Sequence, residues 1–195
     1  MNHKINVVSI LSILLLACSV EAKQPSHNII LLMGDDHGWE ETGYNDHPYV
    51  KTPYLDEMAK AGLRLDNFYA QPSCSPTRGS VLTGRHPNRY GTFSPNFSIR
   101  PEEISIAHLL KKAGYSSAHF GKWHVGPVKK DSPTGPGAMG FDEWLSHDNF
   151  FELDPVLSRN GERPFKIEGE SSQIIIDEAI AFIEKTKAKQ NPFMA

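Results

Sequence analysis

Residues 28–38 run Asn28-Ile29-Ile30-Leu31-Leu32-Met33-Gly34-Asp35-Asp36-His37-Gly38. An unbroken apolar run halted by glycine is the pattern of a strand buried on both faces of a parallel sheet, not of a strand with one wet face. Working outward, Thr52 and Pro53 supply an N-cap and a first-turn proline, Leu55, Met58 and Ala59 share one helical face, and Gly62 closes the helix. Leu63 to Tyr69 is a second strand candidate. Ile104 to Ala113 follows as a helix with Ile106, Leu109, Leu110 and Ala113 on one side and Gly114 as its stop, and Tyr115 to Phe120 returns as a strand. The Gly- and Pro-dense stretch from Val125 to Gly140 is a loop within one domain, because strand-like Phe141 to Leu145 succeeds it directly. Ser171 or Ser172 caps a last helix whose face carries Ile176, Ala179, Ile180 and Ile183, and Phe193-Met194-Ala195 opens another apolar run. Strands alternating with helices predict an α/β fold, a mostly parallel sheet with helices on both faces.

The chain has 195 residues, 20 Lys and Arg against 23 Asp and Glu, and a formal charge of -3. That balance argues against a nucleic-acid partner, which would need a basic surface, and 39% hydrophobic with 10% aromatic residues excludes a disordered polymer. Met1 to Ala22 has a basic head at Lys4, an apolar centre and small residues ending Val20-Glu21-Ala22, the plan of an export signal over residues 1–22. Its apolar run falls short of the roughly 20 residues that span a bilayer, so no transmembrane span is expected. Two exits stay open. Cleavage after Ala22 gives a secreted or periplasmic protein, whereas Leu15-Leu16-Ala17-Cys18 resembles a bacterial lipobox and would leave a lipid on Cys18. Only two cysteines are present, so a disulfide framework is excluded and removal of the signal leaves Cys74 alone.

Functional groups in parallel sheets gather beyond the carboxyl ends of strands, and three polar clusters sit at such places. Asp35 and Asp36 repel each other unless a cation compensates, and paired carboxylates suit calcium or magnesium. Gln71-Pro72-Ser73-Cys74-Ser75-Pro76-Thr77-Arg78 puts Cys74 at a helix start, where free amides and the dipole favour negative charge, with Arg78 one turn further on the same face. A lowered thiol pKa and a thiolate nucleophile are one reading of that setting. Gly121-Lys122-Trp123-His124-Val125-Gly126 is the third cluster.

Cys74-x-Pro76-x-Arg78, extended through Gly79-Ser80-Val81-Leu82-Thr83-Gly84-Arg85 and joined to Asp35-Asp36 and Lys122-x-His124, resembles the signature of the type I sulfatases, in the alkaline-phosphatase-like superfamily. The resemblance covers residues 26–195. It implies that Cys74 is oxidised to formylglycine by a sulfatase-maturing enzyme, that Asp35, Asp36 and the modified Cys74 hold calcium, and that Arg78 steadies the aldehyde hydrate. It implies further that Lys122 neutralises sulfate and aldehyde oxygens and binds substrate, and that His124 hydrogen-bonds the hydrate. Ser146, in Ser146-His147-Asp148, is similar to a substrate-pocket serine, although a surface turn fits these residues as well. In the implied chemistry one hydroxyl of the hydrate attacks the sulfur of a sulfated small molecule or saccharide, and the second expels sulfate and restores the aldehyde. A related phosphoesterase would carry Ser or Thr as nucleophile.

The family pattern includes a second calcium pair and leaving-group residues that have no counterpart here. Residues 23–195 are therefore expected to be the N-terminal part of a sulfatase catalytic domain, with a calcium shell short of the six to eight oxygens that ion prefers. Such a piece could act at most as a binding module. Trp39, Trp123 and Trp144 are expected to pack rather than to stack on substrate. His86, His108 and His119 are expected to be solvated or hydrogen-bonded, and Asn96-Phe97-Ser98 fits a glycosylation acceptor in a eukaryotic host.

Overall fold

The computed structural model describes residues 27–149 and 152–195. The expected signal over 1–22 and Cys18 lie outside the described residues. Among the described residues no helix is long and apolar enough to cross a membrane.

The helices are α1 (Pro53–Ala61), α2 (Cys74–Thr83), α3 (Pro87–Tyr90), α4 (Ile106–Lys112) and α5 (Ser171–Ala188). The strands are β1 (Ser116–Lys122), β2 (Glu143–His147), β3 (Val156–Arg159), β4 (Phe165–Lys166) and β5 (Phe193–Met194), arranged in space as β4-β3-β2-β1-β5. β1 runs parallel to both its neighbours, β2 and β5, while β3 pairs antiparallel with β2 and with β4. The sheet is thus mixed and largely parallel, and the β3–β4 hairpin is an addition that the sequence reading did not place.

Period-two alternation on β1 builds two cores. Ala118 and Phe120 turn toward α5, where Phe182 and Ile183, with Phe193 of β5, complete one cluster. His119 turns the other way, edge-on to Trp123 and Phe141 in the larger cluster that holds Ala107, Ile106 and Leu110 of α4. Helices therefore cover both faces, as expected. Caps explain where they start. The Ser105 hydroxyl accepts from His108 N–H while His108 Nδ1 accepts from Ser105 N–H, a reciprocal box that satisfies two orphan donors at the start of α4.

Several expectations need correction. Residues 29–31 do run parallel to β5, with Ile29 N–H donating to Phe193 O at 2.8 Å and Leu31 N–H to Ala195 O at 2.9 Å. Yet Ile30, Leu31, Leu32 and Met33 are exposed rather than buried on both faces. Among the described residues this segment has a neighbour only on the β5 side, and apolar sequence without a second neighbour cannot bury itself. Leu63 to Tyr69 forms no strand, and Leu63, Leu65, Phe68 and Tyr69 are exposed for the same reason. The strand expected at Phe141 to Leu145 sits two residues later, at Glu143–His147. α5 is capped by Glu170, whose carboxylate accepts from Gln173 N–H at 2.9 Å, instead of by a serine. Its buried residues include Phe182 and Thr186, with Ile176 and Ile180 outside. Trp123 and Trp144 are buried as expected, but Trp39 is exposed.

Candidate active site

The helix that presents Cys74 is positioned from both ends. Cys74 is the first residue of α2, Ser73 holds the extended N-cap position, and Thr77 returns both its N–H and its hydroxyl to Ser73 O, at 3.1 and 2.9 Å. Gly84 ends the helix in the left-handed region, φ 66°, where a side chain is disfavoured. Gly79 has a separate cause. A Cβ there would lie 2.6 Å from Cε2 of Tyr90, whose ring is fully buried and whose hydroxyl donates to Pro76 O. Arg85 reaches Glu103 at 2.5 Å, a carboxylate that is otherwise buried. Much of the motif around the cysteine is thus scaffold for seating α2.

At the mouth of the parallel strands, residues distant in sequence converge. Lys122 closes β1 and its Nζ donates to both carboxylate oxygens of Asp35, at 2.9 and 2.8 Å. Arg78 is buried; its Nη2 donates to Asp35 Oδ1 at 3.1 Å and its Nη1 to the Lys122 carbonyl at 2.5 Å. Burial alone would raise the Asp35 pKa, but hydrogen bonds and charge from Lys122 and Arg78 outweigh it and hold the carboxyl below its ordinary range. Asp36, in the left-handed region at φ 51°, accepts from the Cys74 thiol at 3.6 Å. Asp35, Asp36 and Cys74 each offer a ligand atom within 4.8 Å of the others.

His124 stands two residues past β1 with a left-handed backbone, φ 55°, and its side chain is buried. Its Nε2 lies 2.8 Å from Asn96 Oδ1, and its Nδ1 has no partner among the described residues. Desolvation, followed by the charges of Lys122 and Arg78, lowers its pKa against a smaller opposing pull from Asp35 and Asp36, so the ring is held neutral. Ser146 is not brought to the cluster. Its side chain is fully buried under the site, and its hydroxyl meets His119 Nδ1 at 2.7 Å and the His119 carbonyl at 3.3 Å. Alternation along β2 is the reason: Ser146 pairs beside Gly121 and takes the core side of the sheet.

Asn96 was read only as a glycosylation acceptor, and Tyr90, Glu103 and His119 were given no part in the site. No short-range signal marks them, since each meets its partner across a turn or a strand. His86 and His108 are hydrogen-bonded, as expected: His86 caps α3, accepting from Asn88 N–H, and His108 Nδ1 accepts from Ser105 N–H.

The arrangement can do two things chemically. Two carboxylates beside the group at position 74 offer part of an oxygen-rich cation shell; Asp35 already accepts from Lys122 and Arg78, yet a carboxylate has about four lone-pair sites, so it can also face an ion. Lys122, Arg78 and the α2 amides present positive charge to an anion at the same point.

Comparison with known proteins agrees with this constellation. The family described as Sulfatase matches residues 27–195. N-acetylgalactosamine-6-sulfatase of Mus musculus is 35% identical over 211 aligned residues, covering 88% of this chain and 39% of that protein. Arylsulfatase A of Homo sapiens is 37% identical over 70% of this chain and 29% of its own length. Among solved structures, a sulfatase from Pseudoalteromonas superposes with TM-score 0.74 at 26% identity, over 96% of this chain and 45% of that one. A protein solved in complex with its substrate D-glucosamine-2-N,6-O-disulfate gives TM-score 0.74 at 31% identity, over 87% and 33%. The chain covers well under half the length of these curated relatives, 39% of the first and 29% of the second. With its profile matched from residue 27 to the last residue, and with its cysteine, paired aspartates and lysine gathered at one strand mouth, the chain belongs to the sulfatase family.

Proposed function

We propose that this chain is the nucleophile-bearing part of an exported sulfuric ester hydrolase acting on sulfated saccharides or aryl sulfates. The observation that carries the reading is the meeting of Asp35, Asp36 and Cys74 within 4.8 Å, with Lys122 and Arg78 closing on Asp35. Names borne by relatives, which act on sulfated sugars, support the substrate class.

Asp35, Asp36 and residue 74 would hold calcium, and Cys74 would be converted to formylglycine by a maturing enzyme. When bound, the ion supplies positive charge opposite the sulfuryl oxygens, and the formylglycine supplies an oxygen nucleophile. The chain's own groups do the rest. The start of α2 aims amides at the anion, and Lys122 places a buried ammonium where charge gathers in the transition state. Arg78 fixes Asp35 and the end of β1 in one geometry. His124 stands neutral beside them, able to accept or relay a proton. Ser146 contributes by anchoring β2 to β1, not by touching sulfate.

Mass spectrometry of the peptide holding Cys74, from a host with a maturing enzyme, tests the reading. Exchange of thiol for aldehyde is expected, and an intact thiol overturns it. In the full-length protein, 4-nitrophenyl sulfate is expected to be cleaved in preference to the phosphate, and Cys74→Ala, Asp35→Ala and Arg78→Ala each to abolish this activity. The 195-residue chain alone, with its partial cation shell, is expected to give no turnover.

A further inference from the structure

The imidazole of His124 is a buried side chain with two unlike nitrogens. Nε2 lies 2.8 Å from Asn96 Oδ1, while Nδ1 is buried and has no partner among the described residues. A carbonyl oxygen only accepts, so Nε2 must carry the proton and Nδ1 is left as a bare lone pair. Asn96 is itself held. Its backbone takes the left-handed conformation, φ 67°, which asparagine tolerates better than most residues, and its N–H donates to the Ser75 hydroxyl at 3.2 Å. Ser75 follows Cys74 directly and is fully buried in α2. A continuous chain of contacts therefore runs from the residue beside the nucleophile position, through Asn96, to the ring of His124.

We propose that Asn96 is a positioning residue: by accepting from Nε2–H it locks His124 in the Nε2-protonated tautomer and ties the ring to the start of α2. The tautomer follows from Asn96 presenting its oxygen, not its amide nitrogen, to the ring. Its consequence for turnover rests on the sulfatase reading above. Fixing that tautomer turns the one lone pair, on Nδ1, into the ring's proton acceptor, while only donation from Nε2 would have to compete with Asn96. For metal-bound imidazoles, loss of the partner that fixes tautomer and orientation costs about 10- to 100-fold in affinity or activity, and by analogy a similar size is expected here.

The test is long-range 1H–15N correlation on the 195-residue chain labelled at histidine, with His124 assigned by its absence in His124→Gln. A protonated Nε2 and a bare Nδ1 are expected in the unsubstituted chain. Asn96→Ala is expected to mix the two tautomers, and Asn96→Asp, which keeps an acceptor oxygen, to retain the Nε2–H form. Ser75→Ala, which leaves the ring contact in place but frees its support, is expected to give a smaller shift in the same direction. A protonated Nδ1 in the unsubstituted chain, or an unchanged tautomer in a folded Asn96→Ala, overturns the proposal; should Asn96→Ala not fold, the unsubstituted spectrum and Asn96→Asp still decide it. In the full-length enzyme Asn96→Ala is expected to lower kcat about 10- to 100-fold with KM within about threefold, rescued in part by Asn96→Asp. Absence of sulfatase activity in the unsubstituted enzyme would sink the functional reading and leave the tautomer result standing.

Discussion

Lys122 Nζ bonds both oxygens of the Asp35 carboxylate, at 2.9 and 2.8 Å, across a sequence separation of 87 residues. The two partners are unequally buried: the Lys122 side chain is 4% exposed and that of Asp35 24%. Removing the aspartate strands the more buried charge, and it takes from Arg78 the same acceptor. Removing the lysine leaves Asp35 with Arg78 and with water. Asp35→Ala is therefore expected to cost about 3 kcal/mol, the low end for breaking a buried pair, and Lys122→Met about 1–2 kcal/mol. Urea denaturation of the folded chain checks the ranking, and a larger loss for Lys122→Met would contradict it.

His119 gives a second prediction. Its ring packs edge-on to Trp123 and Phe141 and meets Ser146, and desolvation with the nearby charge of Arg78 lowers its pKa from 6.5 to about 3. The unfolded chain then binds a proton near pH 6.5 that the folded chain refuses, so the stability it contributes is full above that pH and is lost as pH falls toward 3. Asp35, also lowered, adds a loss of the same sign below its ordinary 3.8. His119 is expected to stay neutral in an NMR titration down to about pH 4, and His119→Gln to flatten the acid limb of stability above about pH 4. Protonation of His119 near 6.5 would remove this account.

What could be foreseen follows from the range of the forces involved. Gly62, Gly114, Pro53 and Pro76 act within a turn of themselves, so the helix ends they mark stand close to where the sequence puts them. Asp35, Asp36, Cys74, Arg78 and Lys122 were legible because strand ends and a helix start in a parallel sheet converge by topology. Leu63 to Tyr69 failed because apolar content becomes a strand only beside another strand. The face of α5 was only half legible, with Ile183 packed as expected and Ile176 and Ile180 exposed, because Ile174, Ile175 and Ile176 stand side by side and fit several helical stripes equally well. Ser146 and Asn96 depended on which way one side chain turns, and no spacing rule states that.

Arg85 and Glu103 form an ion pair with opposite burial, the arginine side chain 43% exposed and the glutamate 3%. Arg85→Ala leaves a carboxylate in the interior with no charged partner, whereas Arg85→Ala with Glu103→Gln leaves only a neutral amide. The single substitution is expected to cost about 1–3 kcal/mol and the double to recover part of it, a coupling that a double-mutant cycle reads directly. Additive losses would show that the pair contributes no interaction of its own.

Gly79 decides between two opposed effects. In an exposed helix interior, Gly→Ala gains about 0.8–1.0 kcal/mol through propensity. Here the added Cβ would sit 2.6 Å from Tyr90 Cε2, 2.8 Å from Cζ and 3.0 Å from the hydroxyl. Tyr90 is fully buried, and its hydroxyl is fixed by Pro76 O and by Ser80 Oγ at 3.0 Å, so the ring has no room to withdraw. Overpacking of that kind costs about 1–3 kcal/mol and moves backbone, which outweighs the propensity gain. Gly79→Ala is therefore expected to destabilise the chain, and because α2 is the element that shifts, to lengthen the contact from Cys74 to Asp36 and to lower conversion of Cys74 by the maturing enzyme. Pairing it with Tyr90→Leu removes the ring that the methyl strikes, so Gly79→Ala is expected to cost less in the Tyr90→Leu background than alone. An equal cost in both backgrounds would place the strain elsewhere in the helix.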